Sequence, residues 1–173
     1  MIELREADPG ADDLRPVIAA HLAHGRQAGP PESNHTMDAD ALREPGVRFW
    51  ALYENGEPLG CGALKPLPDG TAEVKSVHVL AAARGRGLAR VMMEHLAAQA
   101  RAAGATALVL ETGAEHLPGY DAARKLYEVL GYSRCGPIHG YTEDPNSAFM
   151  RLALEPGGQK PQERSQRSRS STG

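Results

Sequence analysis

The spacing of apolar positions changes several times along the chain, and each change marks an element. Residues 2–7, IELREA, alternate apolar and polar side chains and predict a short strand. From Asp12 to Ala23 the apolar residues Leu14, Val17, Ile18 and Leu22 recur at helical spacing, so a helix with one apolar stripe is expected. GRQAGPPESNHT, from Gly25, interrupts this with glycines and paired prolines and predicts a loop. VRFWALYENGEPLGCGALK, from Val47, reads as two strands joined at Asn55-Gly56, a dipeptide suited to a tight hairpin turn. A second turn at Pro68-Asp69-Gly70 leads to a further strand, TAEVKSVHVL. Leu88, Val91, Met92, His95 and Leu96 then mark one face of a helix closed by Gly104. ATALVLET is a buried strand, Tyr120 to Leu130 a helix stopped by Gly131, and YSRCGPI and SAFMRLAL the final strands. Antiparallel strands followed by a strand–helix–strand–helix run place the chain in the mixed α/β class with one central sheet.

Length and composition narrow the picture. A chain of 173 residues suffices for one domain with its own core, here expected over residues 1–154. The segment 155–173, EPGGQKPQERSQRSRSSTG, has no large apolar residue and is expected to be a disordered polar tail. A net charge of −3 argues against nucleic acid or an anionic membrane as partner. The N-terminus is charged from its third residue, unlike a signal peptide, and no apolar run is long enough to span a membrane, so a cytoplasmic location is expected. Cys61 and Cys135 have no neighbours at metal-ligand spacing and read as reduced thiols. His21 and His24 can share a helix face but lack an evident third ligand, so no metal is expected.

The most telling stretch is Arg84-Gly85-Arg86-Gly87, set between the strand ending at Val79 and the helix after it. Unsatisfied N–H groups at a helix N-terminus and the positive end of its dipole attract anions. Glycines at 85 and 87 let backbone approach a phosphate closely, and the two arginines add mobile positive charge. The lysine and hydroxyl of a Walker A loop are missing, and G-x-G-x-x-G does not occur there.

VLAAARGRGLA resembles the signature of the GNAT superfamily of acyl-CoA N-acyltransferases, with Arg84, Gly87 and Ala89 at its core positions. ARKLYEVLGY resembles the family's second hallmark through Ala123, Leu126, Tyr127, Gly131 and Tyr132. The likeness extends to GCGALK, AEVKS, LETG and DPNS-FM of small bacterial members and covers everything but the tail. One departure stands out: many members carry Asn seven residues before the helix-end tyrosine, where this chain has Tyr120.

The resemblance implies a mostly antiparallel central sheet with helices on both faces and a splayed parallel strand pair at the cofactor cleft. It implies acetyl-CoA as acyl donor, its pantetheine arm along Val77, His78 and Val79 and its diphosphate on Arg84, Gly85, Arg86, Gly87, Leu88 and Ala89. The Val79 N–H would steady the oxyanion. The acceptor would be an amine of a small molecule or peptide. Neutralising an alkyl ammonium of pKa ~10 at pH 7 costs about 4 kcal/mol, against about 1 kcal/mol for an α-amino group near ~8. Glu73 and Glu111 match the positions of general bases in two branches of the family, and either can act directly or through water. Tyr127 matches the proton donor to the leaving thiolate. The acceptor side nominates Glu32, His35 and Asp38 in one loop and Asp144, Asn146 and Ser147 in another, with His78 and His116 as cleft neighbours. The competing reading is a non-catalytic acyl-CoA-binding, sensing or interaction domain of the same fold. Retention of Tyr127, Glu73 and Glu111 favours the enzyme, and a homodimer is left open.

Overall fold

The computed structural model describes residues 1–28 and 39–155. Seven strands form one sheet: β1 (Ile2–Glu6), β2 (Arg48–Glu54), β3 (Glu57–Pro66), β4 (Ala72–Val79), β5 (Ala107–Gly113), β6 (Ser133–Cys135) and β7 (Ser147–Ala153). Four helices surround it: α1 (Arg15–Ala28), the short α2 (Ala39–Leu42), α3 (Leu88–Ala102) and α4 (Asp121–Val129). The strand order is β1-β2-β3-β4-β5-β7-β6, and every neighbouring pair is antiparallel except β4–β5.

Alternation along the strands sorts two cores. Trp50 and Leu52 of β2 pack with Met92, Met93 and Leu96 of α3 on one face. Phe49, Ala51 and Tyr53 pack with Leu14, Val17 and Ile18 on the other. Helices therefore cover both faces, as the family resemblance implies. Gly62 lies on the α3 side, where an added Cβ would sit 2.8 Å from the Met92 side chain; its absence lets the helix lie close. Asn55 and Gly56 both take positive φ, 49° and 84°, in the β2–β3 hairpin.

The first helix differs from its expected bounds at both ends. Asp12–Leu14 form a 3-10 turn, and the α-helix starts at Arg15. Pro16 has no N–H to give to the Asp12 carbonyl, which instead accepts from Arg15, so the α ladder cannot begin earlier. The helix also runs on through Gly25, which is buried, so residues 25–28 are helical rather than loop. The rest of that expected loop, with Glu32, His35 and Asp38, lies outside the described residues, as does the tail from residue 156.

Two features of β4 shape the middle of the sheet. It pairs with β5 only at Ala72↔Leu108 and Glu73↔Val109, and beyond these the two strands separate. Ser76 adopts φ 57°, rare for a residue with a side chain, and the β3–β4 register shifts between Cys61 and Ala63. The extra residue changes the parity of the strand. Glu73 and His78 consequently share the α1 face, opposite Lys65 and Cys61, while Val74, Val77 and Val79 pack toward α3.

Candidate active site

A cleft of about 460 Å³ opens where β4 and β5 part. Its wall along β4 runs from Glu73 to Val79, and its floor includes Glu111 of β5 and Tyr127 of α4. At one end lies the turn before α3. There Gly85 and Gly87 have φ of 80° and 75°, and Gly87 caps the helix in the left-handed region. An added Cβ at either glycine meets nothing within 4 Å, so backbone conformation rather than crowding calls for glycine. The arginines are less mobile than the sequence led us to expect. Arg86 is clamped by both oxygens of Glu54, at 2.7 and 2.6 Å, and does not line the cleft. Arg84 lines it and turns its Nε to the Val79 carbonyl at 3.2 Å.

The two candidate carboxylates have different surroundings. Glu73 is buried and accepts from the Lys75 ammonium at 2.9 Å and the Tyr141 hydroxyl at 2.7 Å. Lys75 also donates to the Tyr141 oxygen at 3.0 Å, closing a three-membered network. Among the described residues Glu111 has the Ser147 hydroxyl, at 2.9 Å, as its one hydrogen-bond partner. Burial raises its carboxyl to about 7, against the hydrogen bond from Ser147, and the charge of Glu73 adds to the rise.

Tyr127 reaches the cleft from the α4 side, its ring 5.7 Å from that of Tyr132. Burial, with a contribution from the Glu111 charge, pushes its phenol up to about 12, so it stays a donor at neutral pH. α4 is held against β5 by the buried Arg124, which donates to the carbonyls of Gly113 at 2.7 Å and Ala114 at 2.8 Å and pairs with Asp121. Tyr120 lines the cleft with its ring directly on Gly113, where an added Cβ would lie 2.0 Å from it.

Of the other acceptor-side residues, Asn146 shares a 2.8 Å hydrogen bond with His116 beside the cleft, and its neighbour Ser147 is the one that touches Glu111. His78 lines the cleft together with His21 and His24 of α1. Tyr141, Ser76 and Arg124 escaped the sequence analysis. Tyr141 sits in an aperiodic loop, and its partner Glu73 is 68 residues away.

This arrangement has known counterparts. Residues 16–132 match the model of the acetyltransferase (GNAT) family. The uncharacterised N-acetyltransferase YsnE of Bacillus subtilis is 39% identical over 138 residues, spanning 80% of this chain and 90% of YsnE. A Klebsiella pneumoniae structure assigned to the acyl-CoA N-acyltransferases superposes with a TM-score of 0.72 at 29% identity, covering 90% of this chain and 99% of that one. YncA of Salmonella typhimurium, solved with acetyl-CoA, gives a TM-score of 0.66 at 22% identity over 89% of this chain and 94% of its own. The chain belongs to the acetyltransferase (GNAT) family. It is an N-acetyltransferase, as its relatives are named. Among the described residues no helix is long and apolar enough to cross a membrane.

Proposed function

We propose that this N-acetyltransferase takes its acetyl group from acetyl-CoA seated in the gap between β4 and β5, and that Glu111 is the general base toward the acceptor amine. The observation that carries the second part is the contrast between the carboxylates. A base must be ionised near neutral pH yet basic enough to hold the proton it takes, and a carboxyl raised to about 7 meets both demands. Glu73 is occupied by Lys75 and Tyr141, which suits an organiser of the cleft rather than a proton carrier.

For the donor, β4 beyond Glu73 has no ladder to β5, which leaves that edge of Val77 to Val79 available to an amide-bearing arm. The backbone of residues 85–89 at the α3 N-terminus suits a diphosphate. In the reaction the amine nitrogen attacks the thioester carbonyl and loses a proton to Glu111, directly or through water. The Val79 N–H steadies the oxyanion. The C–S bond then breaks, and the Tyr127 hydroxyl supplies the proton to the departing sulfur. Arg84 is the cleft arginine in this scheme, and Arg86 contributes its backbone alone.

The test compares Glu111→Gln with Glu73→Gln, following CoA release with one amine acceptor and donor binding by the melting shift that acetyl-CoA induces. Loss of a general base costs on the order of 10²-fold or more in kcat. Glu111→Gln should show that loss with the melting shift intact. Turnover that survives in Glu111→Gln but collapses in Glu73→Gln would reverse the assignment.

A further inference from the structure

Three imidazoles meet on the α1 side of the cleft. The His21 and His24 rings, one turn apart on α1, lie 5.3 and 5.9 Å from the His78 ring of β4, and His24 stands edge-on to Tyr120 at 5.8 Å. Both ring nitrogens of His21 and the Nε2 of His78 are buried with no hydrogen-bond partner. An unpaired buried polar group costs about 1–3 kcal/mol, so a cluster of them is an expensive way to fill a core. Arg84 adds positive charge, felt by both His24 and His78. Most other described arginines pair with a carboxylate, whereas Arg84 bonds a carbonyl. Burial lowers His21 and His78 to about 4, so the rings are neutral at pH 7, each offering one N–H.

We infer that this histidine cluster, with Arg84, binds a carboxylate carried by the acceptor, so that the acceptor is an amino acid or a similar amine bearing a carboxylate. The inference rests on the reading of Glu111 as the residue that meets the amine. At that end Lys75 offsets the charge of Glu73, which leaves Glu111 as the carboxylate to face an ammonium, while the histidines and Arg84 line the other end. A molecule with an ammonium at one end and a carboxylate at the other matches this polarity. The cluster is not arranged to hold a metal: no group of three or more His, Cys, Asp or Glu among the described residues is. A donor phosphate is the other anion near by, and Arg84 borders the turn expected to hold it, but the imidazoles lie on the α1 face of the sheet while α3 packs on the opposite one.

The experiment measures kcat/KM for matched acceptors, each an amino acid and the amine left by removing its carboxylate, with wild type, His24→Leu and His24→Gln. Wild type should favour the carboxylate-bearing member by at least tenfold. His24→Leu should erase most of that ratio, and His24→Gln, which keeps an N–H donor, should retain much of it. The acetyl-CoA melting shift should persist in both variants. Equal or better use of the decarboxylated amine by wild type overturns the inference while leaving the acetyl transfer itself standing. A His24→Leu protein that folds but loses the acetyl-CoA shift overturns it differently, by assigning the anion to the donor. Transfer to neither member of any pair overturns the proposed acceptor class, whereas the Glu111→Gln and Glu73→Gln comparison separately decides the reading of Glu111 on which the inference rests.

Discussion

Glu73 and Glu111 lie on adjacent strands, and what separates them is company. Among the described residues Glu73 has an ammonium and a phenol within hydrogen-bond reach, Glu111 a single serine hydroxyl. The sequence named both and could not rank them, because Tyr141 reaches Glu73 from a loop with no periodic pattern. Tyr127 was legible, since its flanking residues carry a spaced motif, and it does line the cleft. Tyr127→Phe removes one oxygen and keeps the packed ring. As a proton donor Tyr127 acts mainly in the transition state, so kcat should fall on the order of 10²-fold or more while KM changes little. Binding, melting and turnover measured on one preparation check this. Unchanged turnover per folded molecule would make the tyrosine a packing residue.

At the scale of elements, apolar spacing located most of the strands and helices because each buries one face against a distinct core. Its errors have local causes. Pro16 delays α1 by withholding an N–H, and burial of Gly25 allows the helix to continue where glycine reads as a stop. The kink at Ser76 left no mark in the sequence, because a serine in a strand ordinarily stays extended. Yet that kink turns His78 to the same face as Glu73. The turn before α3 was legible from its two glycines, and both take the positive φ those glycines permit. Gly87→Asp tests the element: it places a side chain with negative charge at the α3 N-cap, beside the expected diphosphate. Wild type at acetyl-CoA one hundred times its Kd should gain about 2.7 kcal/mol of stability, seen as a melting shift. The variant should lose that shift. A normal shift would move the diphosphate elsewhere.

The whole molecule is built on a sheet opened at the only parallel pair among the described strands, and the proposed reaction assigns the donor to one side of it and the acceptor to the other. The α3 side brings a helix N-terminus, valine backbone and, through α4, Tyr127. The α1 side brings Glu73, Glu111 and the histidines. Family motifs cluster on the first side, which is why the sequence nominates residues for the donor half. The proposed acceptor half gathers residues far apart in the chain, each ordinary in its local setting. Glu111 joins the two halves, and the pH dependence of kcat at saturating acetyl-CoA and acceptor tests its role most directly. Its carboxyl is raised, so protons leave it as pH climbs toward and past about 7. Activity should therefore rise about tenfold per pH unit below that value and level off above it. Glu111→Gln should lack this rising limb. A wild-type profile that is flat from about pH 5.5 to 8, or a limb that survives in Glu111→Gln, would contradict the assignment.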